Sequence, residues 1–255
     1  MSSLITSTDA TRLVWLACSG VVAGVIGTAG GITSLVSYPA LIAAGLGALE
    51  ANVANLVAVL ACWPGSALVS RRELSGTGTW MRAALVVAAV GGAAGAVALR
   101  TTSAHTFAAV VPWLVLLGSV MVLVQPALTR RLQGADAARR GGVTLLAVGT
   151  VSVYGGYFGA GSGILLLATA LTLVDPRLPQ ANAIKNMLLG AGALTAAAVF
   201  TVTAPVAWSA VVPLAAGLFA GSTFGPVLAR RLPSWLVRLG SALVGLILAL
   251  ELLRG

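Results

Sequence analysis

The sequence predicts an all-α polytopic membrane protein. Three observations predict it. The 255 residues are 58% hydrophobic and only 8% charged, whereas soluble domains carry roughly 25% charged residues to cover their surface. Mean hydropathy is +1.01. The charges fall in clumps separated by long uncharged runs: Arg12 to Glu50, Glu50 to Arg71, Arg82 to Arg100, Arg100 to Arg130, Arg140 to Asp175 and Lys185 to Arg230. A spanning helix needs about 20 apolar residues. Lipid offers no partners to backbone polar groups, so only helices and closed barrels span it. Leu/Val/Ala runs without period-2 alternation exclude a barrel.

Taken in order, the run 13–47 is too long for one helix and too short for two full ones. It carries "GTAGG" at 27–31 near its middle, and glycine favours a turn over a helix interior. A helical hairpin with two short legs is expected. Runs 50–70, 82–99 and 106–128 read as single helices, with a kink expected at Pro64 in the first. The run 143–173 repeats the first pattern around "GAGSG" at 159–163, so a second hairpin is expected. Runs 183–202, 206–228 and 234–253 again read as single helices. Whether the hairpin legs cross or dip in and return is left open by their lengths.

Basic residues cluster as Arg pairs at the ends of apolar runs: Arg71-Arg72, Arg130-Arg131, Arg139-Arg140 and Arg230-Arg231. Placing these in the cytoplasm satisfies the positive-inside rule with one consistent topology. The single Arg100 and Arg254 then fall outside. The net charge of +9 therefore reports membrane orientation. No basic stripe with interleaved aromatics points to nucleic acid. The N-terminus lacks a basic segment ahead of the first apolar run, so no cleaved signal peptide is expected. A multi-pass protein of the cell membrane is expected.

The two halves repeat. "GVIGTAGG" (24–31) matches "GYFGAGSG" (156–163), and "EANVANLVAV" (50–59) matches "QANAIKNMLL" (180–189). This divides the chain into a first transmembrane repeat 1–132, a cytoplasmic linker 133–142 and a second repeat 143–255. Each repeat holds one Gly-broken hairpin and three helices. Five elements per half is odd, so the halves are inverted. Inverted repeats with interrupted helices are the sequence signature of secondary transporters, whose substrates sit near the midplane where broken helices point their ends.

Three features carry chemistry. The first is the pair of glycine-rich tips: Gly27, Thr28, Gly30 and Gly31, and Gly159, Gly161, Ser162 and Gly163. Glycine admits close backbone approach, and a helix beginning there offers partial positive charge to an anion. Tight helix packing on small residues is the alternative. The second is two Asn pairs, Asn52/Asn55 and Asn182/Asn186, each on one helix face. They either donate to an oxyanion, cap a helix or bridge to a neighbour. The third is Lys185, the only lysine, with no matching cation in the first half. It either attracts an anion or snorkels to the interface.

Other functional classes lack their residues. No Gly-Lys-Ser/Thr follows "GYFGAGSG", so it is not a nucleotide loop. The single His105 stands at a polar turn, and no intramembrane acid pair accompanies it, so an enzyme is not expected. No metal cluster or cofactor motif is present. Cys18 and Cys62 lie in apolar runs and read as small buried side chains, not a disulfide framework. Oligomeric state is not legible.

The motifs "GVVAGVIGTAGG", "ANVANLVAVLACWPG", "GGYFGAGSG" and "ANAIKNML", followed by "APVAWSAVVPLAAGLFAGSTFGPVLARRL", occur in this order across nearly the whole chain. In that order the chain resembles the TauE/SafE sulfite-exporter family. Two departures are visible: Thr28 and Ala29 precede Gly30 and Gly31 where three glycines are usual, and Ser162 stands where glycine is frequent. The resemblance implies a helical permease that exports small anions, sulfite or organosulfur compounds, with the Gly tips and the Asn/Lys helix starts as site positions. A channel or permease for another small anion or a neutral solute is the competing reading.

Overall fold

The computed structural model describes residues 7–69, 73–74, 78–132, 141–229 and 234–254. Arg71-Arg72, Arg139-Arg140, Arg230-Arg231 and all of the expected linker except its last two residues lie outside these. Every regular element among the described residues is a helix. In chain order these are α1 (Ser7–Gly30), α2 (Thr33–Ala43), α3 (Ala48–Val59), α4 (Cys62–Val69), α5 (Gly78–Thr101) and α6 (Ala104–Leu132), then α7 (Gly142–Tyr157), α8 (Ser162–Leu173), α9 (Leu178–Thr203), α10 (Trp208–Ala229) and α11 (Ser234–Arg254). Five apolar spans are long enough to cross a bilayer: Ala10–Thr28, Ala48–Ala67, Gly78–Thr101, Ala104–Val124 and Leu178–Thr203. The protein is an all-α polytopic membrane protein.

Both expected hairpins form, with unequal legs. Trp15 Nε1 donates to Ala40 O at 3.1 Å, which fixes α2 folding back along α1. α1 has 24 residues and α2 only 11. At 1.5 Å per residue α2 reaches about 16 Å, half a bilayer core, whereas α1 reaches about 36 Å. The first hairpin therefore has one long leg, not two short ones. The legs α7 and α8 have 16 and 12 residues.

The span expected as one helix over 50–70 is interrupted. α3 ends at Val59 and α4 begins at Cys62, ahead of Pro64. Proline has no N–H for a bond to Leu60, and its ring collides with a carbonyl one turn back. The ladder consequently tightens to three-residue bonds, Ala61 N–H to Ala58 O and Trp63 N–H to Leu60 O, both at 3.0 Å. The corresponding α9 has no interior proline and runs unbroken for 26 residues.

Packing partners correspond between halves. α1 packs on α10 as α7 packs on α5; α2 meets α11 as α8 meets α6; α3–α4 contacts α10 as α9 contacts α5. α6 lies against α11, and α3 contacts α9. Small residues allow the closest approaches: a Cβ on Gly24 would lie 2.9 Å from Ser222 N across the α1/α10 contact. Two buried apolar clusters fill the interior, one around Leu35, Phe107, Phe158 and Phe200, the other around Leu167, Leu171, Ile184 and Leu188. Cys62 is partly buried, but Cys18 is exposed on α1, contrary to the expected burial. A small apolar thiol costs nothing on a lipid-facing helix surface. His105 is exposed in the first turn of α6.

Candidate functional site between the glycine tips

Each tip is a break that only glycine supplies cheaply. After α1, Gly31 takes φ +75°; after α7, Gly159 and Gly161 take φ +87° and +82°. The second tip is tied down by Ser162 Oγ, which donates to Gly159 O at 2.6 Å, and by Tyr154 OH, which donates to Ala160 O. Phe158 anchors it from below, 1% exposed and edge-on to Tyr38 with ring centroids 5.4 Å apart.

The two tips touch. A Cβ on Gly31 would meet Gly163 C at 2.8 Å, and a Cβ on Gly163 would meet Gly31 O at 2.6 Å. Backbone lies directly on backbone, so neither position has room for a side chain.

The polar residues of α3 and α9 reach across to the opposite half. Asn52 Nδ2 donates to Tyr157 O, the last residue of α7, at 2.9 Å. Asn182 Nδ2, Lys185 Nζ and Asn186 Nδ2 all point to Thr28 O, near the end of α1, at 3.3, 3.4 and 3.5 Å. The carbonyl ends of both broken helices, where partial negative charge collects, are thus covered by donors. The helix starts at Thr33 and Ser162 lie immediately beyond, with their positive ends uncompensated. Asn55 turns a different way: its Oδ1 accepts from Ser37 Oγ of α2. Asn52, Asn55 and Lys185 are completely buried. Among the described residues Lys185 has no carboxylate within ion-pair distance. Outside the spans, Asp175 accepts from Arg177 and holds its guanidinium pKa above the ordinary value through that hydrogen bond and its charge.

A cavity of about 80 Å³ opens where the tips meet. At about 10–15 Å³ per water this is room for roughly five to eight waters, or one small oxyanion. Gly27, Thr28, Gly31, Gly159, Ser162, Gly163 and Asn186, all expected from sequence, line it. Gly161, Asn52, Asn55, Asn182 and Lys185 do not, and neither does Gly30. Further lining residues carry polar atoms that sequence reasoning did not single out: Thr33, Ser34, Trp63, Ser66 and Ser152. The signal for Thr33 and Ser34 was their place one turn past a glycine break. No acidic residue and no histidine lines the cavity among the described residues.

The sulfite exporter TauE/SafE family model matches residues 14–252. The chain belongs to the TauE/SafE sulfite exporter family. Membership covers both tips, both Asn-bearing helix starts and every spanning helix, and makes this a membrane transport protein. No curated protein and no solved structure matches the chain.

Proposed function

We propose that this TauE/SafE protein is a secondary transporter that exports a small anion, sulfite or an organosulfur compound, and that the anion sits in the cavity between the tips. One observation carries the reading: two helix starts converge on a cavity lined by no carboxylate among the described residues, while the opposing helix ends are covered by Asn and Lys side-chain donors. Neutralising the carbonyl ends leaves a net positive field for an oxyanion. In this reading Gly27, Thr28, Gly31, Gly159, Ser162, Gly163 and Asn186 form the wall. Asn52, Asn182 and Lys185 brace the tips from behind, Gly30 and Gly161 shape the turns, and Asn55 holds α2 to α3. Lys185 also adds long-range attraction.

The matching contacts of α1–α10 and α7–α5 support two repeats related by inversion. Rocking of one half against the other would alternate access to the cavity. With the Arg-rich loops cytoplasmic, a thiol introduced at Ser75, which lies outside the described residues, faces the cytoplasm. One at Thr203 faces outward. Reconstitution in liposomes with labelled sulfite tests the function: saturable flux above protein-free vesicles is expected, and a folded protein that moves no oxyanion rejects it.

A further inference from the structure

We infer that Trp63 Nε1 and Ser152 Oγ are the ligand's hydrogen-bond donors, one from each half, so that a bound oxyanion bridges α4 and α7. The inference rests on the anion-transport reading and names donors which that reading leaves out.

Both side chains line the cavity; in this state both polar atoms are shielded from it and have no partner among the described residues, so a ligand reaches them when the side chains turn toward it. That is costly: an unsatisfied buried donor forfeits the full desolvation penalty of the group. Other hydroxyls in these helices avoid it by bonding a carbonyl one turn back. Thr150 donates to Leu146 O at 3.0 Å, Thr169 to Leu165 O at 2.9 Å and Thr172 to Ala168 O at 2.7 Å. Around the cavity itself, Thr28, Ser66 and Ser162 are committed to backbone carbonyls in the same manner. Ser152 is 95% buried, on the same kind of helix, and makes no such bond. Its hydroxyl is held in reserve.

Trp63 is placed with equal specificity. Its indole lies flat against Gly190 of α9, where any Cβ would enter the ring. The break ahead of Pro64 sets the start of α4 and with it the approach of this ring to the cavity. An indole N–H donates and cannot accept. A ligand satisfying it must present a bare acceptor, and Ser152 supplies a second donor from the other half. Asn186 Nδ2, whose bond to Thr28 O is stretched to 3.5 Å, is free to turn toward the same ligand. The recognised chemistry is a small oxyanion that presents an unprotonated acceptor oxygen to neutral donors.

The test is labelled sulfite flux in liposomes for Trp63→Phe, Ser152→Ala and the double variant, with thermal unfolding of each in detergent. Phenylalanine keeps a ring against Gly190 and removes only the donor; alanine is favoured in a helix. Loss of one hydrogen bond to a charged ligand is expected to raise KM roughly tenfold or more. The double variant should compound the two, with unfolding temperatures no lower than the parent's, because each change removes an unsatisfied buried donor. Sulfite should also quench tryptophan emission in the parent, and less in Trp63→Phe. If the parent transports and folded single variants keep KM within about twofold, the donors are misassigned. If Trp63→Phe does not fold, Ser152→Ala alone decides. A folded parent that moves no anion instead overturns the transport reading itself.

Discussion

Adding one methyl group at Gly163 separates the two tips. Gly163 does not have a positive φ, so alanine there adds no backbone strain, only contact. Its Cβ would stand 2.6 Å from Gly31 O, about 0.8 Å inside an ordinary 3.4 Å contact. The opposing atom is backbone, held by Gly31 N–H donating to Gly27 O at 2.7 Å, and cannot swing aside. Overpacking of this kind costs about 1–3 kcal/mol. Gly31→Ala meets Gly163 C at 2.8 Å and must also hold φ +75°, which adds about 1–2 kcal/mol for a left-handed alanine. For a chain of this size each kcal/mol lowers Tm by about 2–4 °C. Thermal unfolding of the solubilised protein should therefore rank parent above Gly163→Ala above Gly31→Ala, and sulfite flux should fall in both variants. Equal unfolding temperatures for all three would refute the contact between the tips.

Three further outcomes follow from the same geometry. Lys185→Met should fold as well as the parent, because Asn182 Nδ2 still donates to Thr28 O. Lys185 stands behind the tip and outside the cavity lining, so its loss should raise KM for sulfite severalfold while leaving flux measurable; an unchanged KM would remove Lys185 from the account. Asn52→Ala deletes the donor to Tyr157 O and should destabilise the detergent-solubilised protein by about 1–3 kcal/mol; an unchanged denaturation midpoint would show that the bond contributes nothing. Impermeant maleimide added outside intact cells should label Thr203→Cys and spare Ser75→Cys; the reverse pattern would invert the topology.

The helices were legible because composition and charge gaps report lipid directly. The two tips were legible because glycine at Gly31, Gly159 and Gly161 is what a left-handed turn requires. Their mutual contact was not, since Gly31 and Gly163 lie in different halves and nothing local encodes which surfaces meet. The interruption between α3 and α4 was displaced from its sequence marker: Pro64 disturbs the ladder a turn upstream of itself. The Asn pairs stand out in the sequence as polar groups needing partners. Of their open alternatives, the structure places Asn52 and Asn182 on carbonyls near helix ends of the other half and Asn55 on Ser37. Trp63 and Ser152 were silent, because one tryptophan and one serine in apolar helices are ordinary, and their significance lies in partners they lack. Lys185 stood out by composition, but its complete burial depends on tertiary packing.

The most direct measurement is labelled sulfite flux into liposomes bearing the parent or a folded Gly31→Leu/Gly163→Leu double variant. Saturable flux in the parent and loss of it in the double variant is the predicted result. A double variant that is folded and transports as fast as the parent would contradict the placement of the anion between the tips.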